Sequence, residues 1–192
     1  SAALASAGFT SAGGIVEGRR GFWAVLSQSG HDEEAIVHDL GSRWELRNNG
    51  LKAYANGVVA HPLQDAAIAL RNVDGVRPDH ARVHPLVMEL MDRPNPHDGL
   101  DGKFSFQYCV AAGLVDGAGY PLQFTDERFH DPAIEAIVRK VSGTADPSIA
   151  EDEAYITVPL ADGRTVERHV PHATGSPSNP MSDEALEAKF RA

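Results

Sequence analysis

The sequence predicts an α+β domain in which helices pack against an antiparallel or mixed sheet. Two stretches, 61–71 and 103–116, repeat apolar residues at the spacing of three and four that places them on one helix face. The stretch 154–170 alternates apolar and polar residues on either side of Ala161-Asp162-Gly163, the pattern of a hairpin. The patterns run in the order helices, strand, helix, strand, two helices, hairpin, helix. Helices segregated against a sheet in this way make an α+β domain.

The chain opens in small residues. Ala3, Leu4 and Ala7 keep a helical spacing that stops at Gly8, as though the chain begins partway through a structure. Residues 15–26 predict a second helix, weakened by Gly18 and Gly21 at about 1 kcal/mol each. Residues 31–40 predict a third, with Ala35, Ile36 and Leu40 as its apolar face. Residues 44–48 read as a strand closed by Asn48-Asn49-Gly50, a turn signal. Residues 79–91 mix β-branched and apolar residues and read as a strand with Pro85 at a bulge or edge. Residues 93–99, rich in Pro, Asn, Asp and Gly, form a loop.

The clearest helix is 103–116, where Phe104, Tyr108, Ala111 and Val115 recur and Gly117 follows as a C-cap. Asp131-Pro132 opens another, with Asp as N-cap and Pro as first helical residue, followed by Ile134, Ile137, Val138 and Val141. In the hairpin, Ala154, Ile156, Val158 and Leu160 share one face. Residues 174–180 are a Gly/Ser/Pro loop, and Ser182 caps a last helix whose first turn holds Asp183 and Glu184.

Composition narrows the function. The 192 residues are 42% hydrophobic and 23% charged, the profile of an ordinary globular protein. No run approaches the roughly 20 apolar residues of a membrane span. The N-terminus lacks the basic-then-apolar pattern of a signal peptide, so a cytoplasmic location is the default expectation. A formal charge of −10 argues against generic nucleic-acid binding, which needs a basic surface. It leaves room for a local basic pocket around a small acid. The single cysteine, Cys109, sits in an apolar helix without electropositive neighbours, which predicts a buried structural thiol. His80 and His84 lie about 13 Å apart if on one strand, too far for one metal. GFTSAGG at 8–14 is neither a Walker nor a dinucleotide pattern. No cofactor and no metal are implied.

The candidate site lies in 50–71, GLKAYANGVVAHPLQDAAIALR. An extended segment carrying Lys52 and Tyr54 leads into a helix opening at His61-Pro62. Pro62 suits the first helical position, which makes His61 the N-cap. Leu63, Ala66, Ala67 and Leu70 supply the buried stripe. A lysine and a histidine at the positive end of a helix dipole make a site for a carboxylate-bearing substrate. The same residues also suit a plain helix start with a surface lysine beside it.

Four stretches resemble the MmgE/PrpD superfamily, the relatives of 2-methylcitrate dehydratase: GLKAYANGVVAHPLQDAAIALR, VHPLVMEL, GKFSFQYCVAAGLVDG from Gly102, and the closing HATGSPSNPMSDEALEAKFRA. GFTSAGGIVEGRRGF also looks like the segment leaving the family's helical domain. The resemblance implies a chain about half the length of family members. Residues 1–40 would be trailing helices of the helical domain, 41–173 the smaller α+β domain, and 174–192 a loop and helix returning to the helical domain. It implies a catalytic cleft between the two domains and a homodimer.

It further implies cofactor-free chemistry on small di- and tricarboxylic acids: dehydration of 2-methylcitrate first, epimerisation of iminodisuccinate second. Lys52 matches an active-site lysine, as a carboxylate clamp or a proton-transfer group. His61 matches the family's helix-opening histidine, a neutral base or a structural cap. Lys103, Tyr54 and Ser105 are the substrate-binding candidates, Lys103 because a cation opening a helix calls for a nearby anion. Tyr108 is expected in the core with its hydroxyl bonded. The decarboxylase-like branch places a histidine five residues after the lysine, where this chain has Gly57. The rival reading is a non-catalytic binding or dimerisation module, whose mark would be an exposed apolar face.

Overall fold

The structure, a computed structural model, describes residues 2–27, 29–73, 80–160 and 163–191. It comprises two compact units, Ser1–Leu46 and Arg47–Ala192.

The first unit holds three short helices, α1 (Ala2–Ser6), α2 (Phe22–Leu26) and α3 (Glu33–Val37). Two of them are shorter than the spacing predicts. Helix α2 starts only at Phe22, because Gly18 and Gly21 interrupt the turns before it and the Phe22 N–H reaches back to Ile15 O at 2.9 Å. Helix α3 begins after Asp32, whose carboxylate accepts the N–H groups of Glu34 and Ala35 at 3.0 and 3.1 Å. The strand expected at 44–48 is instead a 3₁₀ turn over Glu45–Asn48. An extended segment gains its hydrogen bonds only from a neighbouring strand, and none among the described residues pairs with it. Apart from Gly21, no described residue of this unit is buried; Leu4, Phe9, Ile15, Leu40, Trp44 and Leu46 all stand exposed.

The second unit carries a four-stranded sheet: β1 (His80–Val83), β2 (Ser142–Ala145), β3 (Ala154–Pro159) and β4 (Thr165–Val170), in the order β2-β1-β3-β4. Strands β1 and β2 are parallel, with His80 opposite Ser142, while β3 runs antiparallel to β1 and to β4. The unit is α+β with a mixed sheet, as the sequence predicts. Alternation sets its inner face: Ala81, Val83, Ala154, Ile156 and Val158 are buried. The hairpin's Ala161 and Asp162 lie outside the described residues. Strand β2 is not legible in the sequence, because Ser-Gly-Thr-Ala has no apolar alternation and is held by pairing alone.

The helices are α4 (His61–Leu70), α5 (Pro85–Met91), α6 (Gly99–Gly102), α7 (Phe106–Asp116), α8 (Asp126–Phe129), α9 (Pro132–Val138) and α10 (Asp183–Arg191). The strand expected over 79–91 ends at Val83, and α5 takes the rest. His84 caps it, its Nδ1 accepting the Leu86 N–H at 3.2 Å, and Pro85 takes the first helical position, where its missing N–H costs nothing. Asp79 lies outside the described residues. Helix α7 starts at Phe106 rather than at residue 103, because Ser105 is the N-cap: its Oγ accepts the Tyr108 N–H at 3.2 Å. Phe104 therefore drops out of the apolar stripe and stands exposed. Gly117 closes α7 at φ +68°, as expected of a C-cap.

Helices α4 and α7 pack on each other, and α4 packs on the sheet. Leu63, Ala66, Ala67, Phe106, Val110 and Ala112 belong to the buried core that these elements share. Tyr108 is buried against Phe124 and Phe129, its hydroxyl donating to Gln123 O at 2.6 Å. Cys109 is fully buried in α7, and burial pushes its thiol far above the usual range. A thiol reagent should therefore leave native Cys109 unmodified and react at the rate of global unfolding; rapid labelling at low denaturant would refute this burial.

Candidate active site

The predicted extended segment carrying Lys52 and Tyr54 is a series of bends rather than a strand. It is pinned by backbone bonds to distant parts of the unit. Leu51 N–H donates to Gly175 O at 2.7 Å, Ala55 N–H to Gly119 O at 2.8 Å, and Gly57 N–H to Lys103 O at 3.1 Å. Leading out of it, Val58–Ala60 makes a 3₁₀ turn into α4. Ala60 is the N-cap and His61 the first helical residue, one position earlier than Pro62 suggests, with the proline still in the first turn.

Lys52 and His61 line one cavity of about 380 Å³, with Leu51, Val59, Asp152 and the loop residues Thr174 and Ser176 among its other walls. Lys52 Nζ donates to Asn56 O at 3.2 Å. His61 is 1% exposed, and its Nε2 is buried with no hydrogen-bond partner. Burial pushes the imidazole down to about 4 from 6.5; the charge of Lys52 and then that of Lys189 add to this, while a backbone hydrogen bond to Asn56 opposes it. The ring is thus held neutral, with Nε2 free of any protein partner.

Tyr54 packs edge-on to His61, ring centroids 5.2 Å apart. Its hydroxyl donates to Asp65, and the other oxygen of Asp65 accepts the Thr174 N–H at 2.7 Å. Burial, then the Asp65 carboxylate, raises the Tyr54 phenol far above its ordinary value. Its proton is thus committed within the protein, and Tyr54 serves as a wall that orients His61. Asn56 Nδ2 donates to Gln64 Oε1 at 2.7 Å, and Gln64 in turn donates to Ala118 O, which fixes the start of α4 from below.

Lys103 and Ser105 do not line this cavity. Lys103 is half-buried at the end of α6, where its carbonyl holds Gly57. Ser105 is buried with its hydroxyl spent on α7, accepting from Tyr108 and donating to Gln107 at 3.1 Å. Three residues that sequence spacing does not reveal complete the surroundings: Asp65, Ser176 and Lys189, whose Nζ donates to Lys52 O. They lie 13, 124 and 137 positions beyond Lys52, and only the tertiary fold brings them together. At Gly57, the place of a histidine in the decarboxylase-like branch, a Cβ would meet Met91 Sδ at 2.3 Å, so a side chain enters there only if the Met91 side chain moves.

Among the described residues, three buried side-chain polar atoms lack a partner: Asn56 Oδ1, His61 Nε2 and Ser176 Oγ. Two of these belong to residues lining this cavity. Orphaned buried polar groups cost about 1–3 kcal/mol each, so their clustering marks a surface that pairs with something else. The cavity can hold a small anion beside a neutral base.

Residues 54–192 match the MmgE/PrpD C-terminal domain. The chain is similar to cis-aconitate decarboxylase of Mus musculus, 28% identical over 155 residues that make up 73% of this chain and 32% of the relative. It is 29% identical to cis-aconitate decarboxylase of Homo sapiens over 109 residues, 55% of this chain and 23% of the relative. The chain spans about a third or less of the length of these curated relatives.

Proposed function

The chain belongs to the MmgE/PrpD family, and from that premise we propose that it supplies Lys52 and His61 to a lyase acting on a small di- or tricarboxylic acid. The observation that carries this reading is the buried, unpartnered Nε2 of a neutral imidazole in a cavity shared with Lys52. In dehydration, Nε2 takes a proton from the carbon beside a carboxylate. The Lys52 ammonium, set against that carboxylate, stabilises the charge that develops as the C–H bond breaks. The double bond forms as the neighbouring hydroxyl takes up a proton and leaves as water. Acid–base groups suffice for these steps, so no cofactor is invoked.

The cavity sits on one wall of a cleft whose other wall belongs to a helical domain, and the working protein is a homodimer. Decarboxylation of cis-aconitate is a second reading, favoured by the names of the two relatives. Against it stands Gly57, which offers no imidazole at the place where the decarboxylase-like branch carries a histidine.

The test is turnover of 2-methylcitrate, cis-aconitate and iminodisuccinate, followed by NMR, with Lys52→Ala beside the native chain. Loss of a charge-assisted carboxylate contact should lower kcat/KM by at least about tenfold. An unchanged kcat/KM in Lys52→Ala would remove Lys52 from the site. A folded chain that turns over none of the three acids would reduce this wall to a binding surface.

A further inference from the structure

We propose that Ser176 is a substrate-binding residue, its Oγ donating to a carboxylate of the small polycarboxylic acid held beside Lys52 and His61. The inference rests on the functional reading above and adds a specific ligand from the loop 173–177, to which that reading assigns no role.

The loop fixes the backbone of Ser176 firmly. Gly175 takes φ +89°, and its N–H and C=O are both engaged, with Asn179 O at 2.8 Å and the Leu51 N–H at 2.7 Å. On either side, the Ser176 N–H donates to Ala173 O at 3.0 Å and its C=O accepts the Asn179 N–H at 3.1 Å. The Ser176 backbone is therefore satisfied in both directions, while its Oγ is buried with no partner. A serine in a Gly/Ser/Pro turn ordinarily turns its hydroxyl to water or to its own backbone. Here Ser176 is one of the residues lining the cavity that also holds Lys52 and His61. A hydroxyl donates as well as accepts, so it suits a carboxylate oxygen.

Stability and binding should move in opposite directions. Removing a buried, unsatisfied hydroxyl takes away a folding penalty, so Ser176→Ala should keep or raise the Tm of the free protein. If the hydroxyl serves a ligand, the same variant binds that ligand more weakly.

The probe is tricarballylate, a three-carboxylate acid without a hydroxyl, titrated into the 192-residue chain while the His61 ring resonances are followed by NMR. Ser176→Ala is expected to weaken its Kd about tenfold at unchanged or higher Tm. Ser176→Cys, nearly isosteric and a weak donor, should behave like the alanine variant and stands in for it if that variant is destabilised. An unchanged Kd in both variants overturns the inference: the hydroxyl is then merely an unsatisfied group. If native protein shows no His61 perturbation with tricarballylate, the functional reading itself falls, and the inference with it. Loss of binding in Lys52→Ala with full binding in the Ser176 variants refutes only the role of Ser176.

Discussion

Replacing Gly175 by alanine is expected to remove about 3–5 kcal/mol of folding stability, a large share of what a domain of this size possesses. Gly175 lies at φ +89°, where an L side chain costs about 1–2 kcal/mol. A Cβ there would stand 2.0 Å from Leu51 O and 3.1 Å from Leu51 C, and these backbone atoms cannot rotate away. The loop must therefore part from segment 50–53, which breaks the Leu51 N–H to Gly175 O bond and strips a wall from the cavity. Gly163 is the natural control. It too has a positive φ, +83°, but a Cβ added there meets nothing within 4 Å. Gly163→Ala should cost only about 1 kcal/mol, the backbone strain alone. Urea unfolding of the two variants separates strain from collision. Equal losses would mean that loop 173–177 does not press on segment 50–53.

The contrast shows which parts of the molecule a sequence discloses. Helix α4 is readable because Leu63, Ala66, Ala67 and Leu70 must face one way to be buried, and β3 because its buried residues alternate. Each pattern is local, and burial enforces it. Pro85 misleads because a proline suits both a strand edge and a first helical turn, and only the His84 cap, with its Nδ1 on the Leu86 N–H, decides between them. Strand β2 is silent for the opposite reason. It is held by its register with β1, and its own side chains contribute no pattern.

The site divides along the same line. His61 and Lys52 are nine positions apart and joined by one structured segment, so their meeting is foreseeable. The 103–105 motif is equally prominent in the sequence. Yet the fold spends Ser105 on capping α7 and uses the carbonyl of Lys103 to hold Gly57, work that residue type alone does not distinguish from substrate binding. Asp65 and Ser176 carry no motif. Each acts through a long-range partner: Asp65 through Thr174, and Ser176 through a turn whose shape depends on Gly175 fitting against Leu51.

Substituting His61 by glutamine should flatten the pH dependence of stability in acid and reduce turnover by about 10²–10⁴-fold, the usual share of a general base. The folded imidazole titrates near 4, while in the unfolded chain it titrates near 6.5. Above 6.5 both states hold the ring neutral, and the residue contributes no slope. Between 6.5 and 4 the unfolded chain binds a proton that the folded chain refuses, so stability falls as the pH is lowered, by about 3 kcal/mol in all. Below 4 the contribution is constant. Asp131 and Asp146, held below their usual range chiefly by hydrogen bonds from Ala133 and Ser148, add a second loss at lower pH that the variant retains. The difference between native protein and His61→Gln therefore isolates the imidazole, and parallel curves from pH 7 to 4 would show that it is not buried as described. The low value also bears on catalysis, because an imidazole that titrates near 4 is a weak base for a carbon acid. A bound polycarboxylate would set negative charge against the two lysines that depress the ring and so raise its proton affinity. His61 should accordingly titrate higher in the tricarballylate complex than in the free protein. A midpoint unmoved by saturating ligand would place the acid away from the ring and leave the base unidentified.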